Sequence, residues 1–153
     1  AIDTASKVIV VYQGTDNQKL WYVSGHVDPQ TGKIIGTEFS LTEGEARRCY
    51  SPSVAIDANG HVLIVYEGTD NQRLWYVYGS RDASGRIIGT EYSLTEGNAR
   101  RGTHPTVSFD SDGFTTILYT GTDEAKLWYV RGTIDQTGRL IGQEQLLDMS
   151  LVE

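Results

Sequence analysis

The chain has 153 residues, 39% of them hydrophobic and 22% charged, enough apolar material for one buried core and too much for a disordered polymer. Its formal net charge of −7 argues against a nucleic-acid surface, which needs basic residues, and against electrostatic attraction to anionic lipid. A lone cysteine, Cys49, rules out an intrachain disulfide, and no run of 18 apolar residues is present to cross a bilayer as a helix.

In chain order, the first clear signal is the stretch Tyr12 to Val23, which reads Tyr-Gln-Gly-Thr-Asp-Asn-Gln-Lys-Leu-Trp-Tyr-Val. It returns from Tyr66 to Val77 and again, with three changes at its loop, from Tyr119 to Val130. The tryptophans Trp21, Trp75 and Trp128 are 54 and 53 residues apart, a period that belongs to propellers, solenoids and other arrays.

The middle copy shows the elements best. Ser53–Asp57 is a short strand closed by Ala58-Asn59-Gly60, a hairpin turn signal. His61–Tyr66 is almost continuously apolar, which predicts burial on both faces. A loop over 67–72 leads to a third strand through Leu74-Trp75-Tyr76-Val77, and a loop over 80–85 leads to a fourth, Arg86–Leu94. No segment has helical spacing of apolar residues. Four strands in an antiparallel meander followed by a longer link, 95–104, describe a propeller blade.

The expected architecture is all-β: one repeat domain over 1–153 with blade one at 1–43, blade two at 52–96 and blade three at 105–149. Three blades are fewer than the roughly 4–8 of a closed propeller. The expectation is therefore a homodimer, two arcs making one six-bladed ring about a two-fold axis. The alternative is a three-fold monomer, a β-trefoil or β-prism.

Several residue sets are candidates for function, each with a structural role beside it. Gly14, Gly68 and Gly121 are expected to supply turn conformations, with Asp16, Asp70 and Asp123 capping those turns or accepting sugar hydroxyls. Trp21, Trp75 and Trp128 share a strand face with the Val two residues on, as core between blades or as an aromatic wall for a pyranose. Arg47-Arg48 and Arg100-Arg101 occupy matching places in the links, where a guanidinium fork can grip vicinal hydroxyls or a carboxylate. Glu38, Glu91 and Glu144 lie in the fourth strands, solvated at an outer edge or completing such a site as acceptors.

The turns Asp57-Ala58-Asn59-Gly60 and Asp110-Ser111-Asp112-Gly113 lack the further acids of a calcium loop and are expected to be hairpins. His26, His61 and His104 have no zinc spacing. Cys49 aligns with Gly102 and is expected to be an incidental loop thiol. No cofactor, metal or catalytic residue is expected.

The run Pro52-Ser53-Val54-Ala55-Ile56-Asp57-Ala58-Asn59-Gly60-His61-Val62, followed by Leu74-Trp75-Tyr76, resembles blade repeats of propeller lectins and of sialidase-type repeats. Fucose-binding propeller lectins, some of them short chains that assemble a six-bladed ring, hold sugars between blades with Arg, Glu and an aromatic ring. Residues of those types stand here as Arg48, Arg101, Glu38, Glu91, Trp21, Trp75 and Trp128. The sialidase Ser-x-Asp-x-Gly-x-x-Trp box is only approached by Phe109-Asp110-Ser111-Asp112-Gly113-Phe114, and the third copy has no arginine pair.

The resemblance implies a multivalent carbohydrate-binding protein, because repeated weak sites gain avidity toward a glycan surface whereas catalysis usually needs one asymmetric group of residues. The expectation is thus a soluble, lectin-like, non-enzymatic protein whose partners are a glycan and a second copy of itself, with neither nucleic acid nor membrane insertion. The alternatives are a protein-interaction or structural propeller, and a glycoside-active enzyme.

Overall fold

The computed structural model describes residues 1–15, 18–41, 49–69, 73–94, 102–122 and 126–147, and within them eleven strands follow one another without a helix. The first sheet holds β1 (Lys7–Gln13), β2 (Leu20–Val27) and β3 (Ile34–Ser40). The second holds β4 (Cys49–Ile56), β5 (Val62–Gly68), β6 (Leu74–Arg81) and β7 (Ile87–Ser93). The third holds β8 (Gly102–Phe109), β9 (Thr115–Gly121), β10 (Leu127–Ile134) and β11 (Leu140–Leu146). Every pairing is antiparallel between strands consecutive in the chain. The expected all-β meanders are present.

One expectation needs correction: the first sheet has three strands, not four. Residues 1–6 add only an isolated bridge, Ile2 to Val8. The turn at Asp3, where Asp3 N–H donates to Lys7 O (2.9 Å) and Ser6 N–H to Asp3 O (3.1 Å), is the turn that follows β4 at Asp57 and β8 at Asp110, but here only Ile2 pairs ahead of it.

The sheets stack face to face, the first strand of each against the first strand of the next, in a propeller-like arrangement. β5 shows why the apolar run is needed. Its side chains alternate, so Val62, Ile64 and Tyr66 enter a core shared with Ile9, Leu20 and Tyr22 of the first sheet. Leu63 and Val65 enter a second core with Ile117, Tyr119 and Val130 of the third. The middle sheet is thus buried on both faces.

Two devices fasten each junction and recur at the next. The buried Tyr22 hydroxyl accepts the Ile87 N–H across the first junction (2.8 Å), and Tyr76 accepts the Leu140 N–H across the second (2.8 Å). The Arg86 guanidinium lies 4.8 Å from the centre of the Phe39 ring, and Arg139 lies 4.5 Å from that of Tyr92. A buried phenol and a cation over an aromatic face, in register with one repeat, make the two junctions chemically alike.

The glycines of the repeated segment serve a different purpose from the one expected. Gly14, Gly68 and Gly121 do not adopt positive φ. A Cβ on Gly68 would instead stand 2.8 Å from Trp75 Nε1, and on Gly14 and Gly121 it would stand 2.6 and 2.9 Å from the indoles of Trp21 and Trp128. These glycines clear space for the tryptophan of the paired strand. Among the described glycines, positive φ belongs to the opposite turns, as at Gly60 (85°). There Asp57 caps the turn, its Oδ1 accepting the Asn59 and His61 N–H groups at 2.9 Å each.

Cys49 is also corrected. It is not a loop thiol but the first residue of β4, fully buried in the first core, where burial pushes its pKa up to about 12. The thiolate that would make it reactive is therefore suppressed.

Candidate functional site

In each meander the connections alternate between two ends of the sheet. One rim carries the Asp-capped turns, and the other carries the loops that Gly14, Gly68 and Gly121 open, together with the links between sheets. Candidate chemistry occurs at both.

On the link rim, antiparallel pairing puts Tyr66, Trp75 and Ser93 in one row across the second sheet and Ile64, Val77 and Glu91 in the next. These rows share the face that packs on the first sheet, so Trp75 and Glu91 are diagonal neighbours on one wall of the junction. The Tyr66 hydroxyl reaches across Val77 and donates to Glu91 Oε2. The facing wall includes Leu20, Leu41 and the tilted Tyr22–Phe39 pair, whose ring centres are 5.4 Å apart.

The third sheet repeats the wall. Trp128 and Glu144 share its face toward the second sheet, and the Tyr119 hydroxyl donates to Glu144 Oε1. Trp75, Trp128, Glu91 and Glu144 are all half-buried. Of the two readings of the fourth-strand glutamates, simple solvation does not hold for Glu91 and Glu144, since each carboxylate is held by a tyrosine two strands away. Glu38, Trp21 and Tyr12 hold the same places in the first sheet, but on its outer face with no sheet opposite, and Glu38 is exposed. Arg48 and Arg101, the expected donors, lie outside the described residues, as do Asp16, Asp70 and Asp123.

Chemically, such a wall offers a π face beside a carboxylate fixed by a hydrogen bond. A carboxylate accepts from two adjacent hydroxyls, and an indole covers the apolar face of a pyranose.

On the turn rim, sequence reasoning missed several clefts: one of about 480 Å³ where the turns at Asp3, Asp57 and Asp110 converge, and two between neighbouring sheets. One of these two, of about 450 Å³ between the first and second sheets, is lined by Lys7, Ser24, His26, Arg81, Asp82 and Ser84 among others. The other, of about 370 Å³ between the second and third, includes Asn59, Tyr78, Asp110 and Thr133. At the rim of these clefts the capping aspartates take different partners. Arg81 Nη2 reaches Asp3 of the neighbouring sheet at 3.2 Å, while Arg131 Nη2 reaches Asp110 of its own sheet at 2.6 Å and lies over Phe114. Asp57 Oδ2 meets His61 Nδ1 at 3.1 Å and accepts from the Tyr78 hydroxyl at 3.3 Å. Burial, and then the Asp57 charge, push the Tyr78 phenol up to about 12, so it stays a neutral donor. The signal for this rim was an Asp at each turn, legible as a cap but not as a cleft.

One acid stands apart. Glu67, on β5, is buried where the other copies carry uncharged Gln13 and Thr120, and it accepts the His104 backbone N–H. Burial raises its carboxyl above the usual range, against the opposing pull of His104. A raised folded-state pKa means the fold resists ionisation of this acid. The penalty is absent below the unfolded carboxyl's value, about 4.3, and develops as pH rises through the folded one. Glu67→Gln should therefore raise the melting temperature at neutral pH and change it little at acid pH below about 4. Melting curves at the two pH values test this, and an equal shift at both would refute the assignment.

No family profile matches the chain, and no curated protein matches it. Among solved structures, a protein described as a bifunctional GH43-CE from Bacteroides eggerthii aligns with 91% of this chain at 16% identity and a TM-score of 0.52. The aligned part is 20% of that protein, so this chain spans about a fifth of its length. The likeness is one of fold and supports the propeller-like reading of the stacked sheets.

It also corrects the expectation that the chain is no enzyme. That expectation rested on the repeats being too alike for catalysis. A comparable stack of sheets is part of a protein whose description pairs glycoside hydrolysis with carbohydrate esterase activity. The fold class therefore carries no argument against an enzyme.

Proposed function

We propose that this chain recognises carbohydrate in the crevices between successive sheets. The observation that carries the reading is the repeated wall: Trp75 beside Glu91 with Tyr66 fixing the carboxylate, and Trp128 beside Glu144 with Tyr119 doing the same. Two half-buried carboxylates in matching places, each next to an indole, suit pyranoses with adjacent hydroxyls, and repetition on one rigid body suits binding to a dense glycan. Arg48 and Arg101, which precede the first strands of the second and third sheets in the chain, are the proposed donors that complete the two sites, in the roles the propeller lectins give to such residues.

The test is a glycan array followed by titration of any sugar that binds. Trp75→Ala should weaken binding only in part, because the Trp128 site persists, and should lower the number of sugars bound per chain. An array with no signal at the highest attainable protein concentration would overturn the reading. The structural neighbour favours a second reading, a glycoside-active segment, and new reducing ends appearing in the bound glycan would establish it.

A further inference from the structure

The two ends of the stack are the two halves of one junction. At each internal junction the trailing sheet presents the Tyr-Trp face, and its fourth strand begins with a residue that the leading sheet covers. Ile87 and Leu140 are that residue in the second and third sheets, 1% and 0% exposed. Ile34 is the same residue in the first sheet, and it is 52% exposed. The next residue along serves as a control. Ile35, Ile88 and Ile141 are 52%, 52% and 50% exposed in the three sheets, so they are solvent positions whether or not a neighbour is present. Only the missing sheet separates Ile34 from Ile87 and Leu140. Val10 is bared in the same way, where its counterparts Ile64 and Ile117 are fully buried.

The far face of the third sheet lacks the opposite half. Leu20 and Leu74 are 2% and 1% exposed, while their counterpart Leu127 is 37% exposed. Most telling is the phenol. Tyr22 and Tyr76 each accept an N–H from the start of the next sheet's fourth strand. Tyr129 holds their place in the third sheet, and its hydroxyl turns back on its own sheet to donate to Gln145 Oε1 at 2.8 Å. The amide it lacks is that of Ile34.

We propose that a second copy of this chain covers both faces, the first sheet of each copy docking on the third sheet of the other and Tyr129 accepting the Ile34 N–H across the junction. Two such junctions are related by a two-fold axis and close a ring of six sheets, within the range of known propellers. A head-to-tail contact of this kind repeats the geometry of the internal junctions, whereas two first sheets set face to face would pair the same half with itself and leave each Tyr129 hydroxyl on Gln145 of its own sheet. The junction between copies is the weaker version of the theme. Lys33 replaces Arg86 and Arg139, Gln145 replaces Phe39 and Tyr92, and Thr116 replaces Ile9 and Leu63. The cation–aromatic contact is therefore absent and the ring can be opened by a single charge.

Sedimentation or light scattering on the full chain is expected to give twice the 16.9 kDa chain mass. Ile34→Asp and Leu127→Asp should each give a folded monomer, since both positions are already exposed within one chain, and Ile35→Asp should remain a dimer. Mixing the two monomeric variants should restore a dimer, because one of the two junctions then has both native halves. Tyr129→Phe should loosen the dimer about fivefold at each junction. A wild-type monomer at every accessible concentration, a dimer that Leu127→Asp leaves intact, or a species larger than two copies would each overturn the proposal.

Discussion

Ile64→Ala should cost about 3 kcal/mol of folding free energy, among the largest single-residue effects in the chain. Ile64 lies at the centre of β5 with no exposed surface, in the core that joins the first two sheets. Its neighbours Val62 and Tyr66 are held on either side along the strand, and Val77 lies opposite, so the space left by three carbons cannot close easily. For a chain of this length the loss corresponds to a fall of about 10 °C in melting temperature. Ile88→Ala, the same substitution in the same sheet, should stay within about 0.5 kcal/mol, because Ile88 is a solvent position. Denaturant curves for the pair measure the contrast. Equal costs would mean that β5 is not buried on both faces and that the stacking of the three sheets is wrong.

That contrast also marks what was legible in the sequence. The apolar run at 62–66 announced burial on both faces because a strand exposed on one face must alternate, and this one does not. The repeat gave the meanders, since a tryptophan returning at a fixed period requires the same strand each time. What the repeat concealed is how identical residues differ by position in the stack. Ile34 and Ile87 read alike, but one is bare and the other buried, and only the order of the sheets decides it. Gly68 read as a turn residue because glycine is common in turns. Its actual constraint is the Trp75 indole on the neighbouring strand, a cross-strand distance that no local pattern encodes. The same holds for Glu91, which looked solvated from its place in an outer strand. The Tyr66 hydroxyl that holds it comes from two strands away. Cys49 failed for another reason: it opens a strand in which Ser51 has φ of 49° and the pairing register slips between Tyr50 and Ser53, so the residues around Pro52 read as loop.

Glu91→Gln combined with Glu144→Gln should lower sugar affinity by about ten- to a hundredfold, the loss expected when charge-assisted acceptors become neutral amides. The amide carbonyl still accepts from Tyr66 or Tyr119, so the fold should survive, and an unchanged melting temperature distinguishes a lost acceptor from a lost structure. Binding equal to wild type would remove the carboxylates from the site. Glu38 then separates the arc from the ring. With Trp21 and Tyr12 it forms the same wall on the bare first sheet, where an isolated chain has nothing opposite to complete a crevice. In a single arc Glu38→Gln should leave both affinity and stoichiometry unchanged, at two sugars per chain. In a two-copy ring the third sheet of the partner supplies the facing wall of a third, weaker site, which has no counterpart of Arg48 or Arg101; the count then rises to three, and Glu38→Gln returns it to two. Measured in the wild type and in Leu127→Asp, the substitution should matter only in the first. An effect in both backgrounds would mean that the first sheet binds sugar without a facing sheet, and that the crevice is not what makes the site.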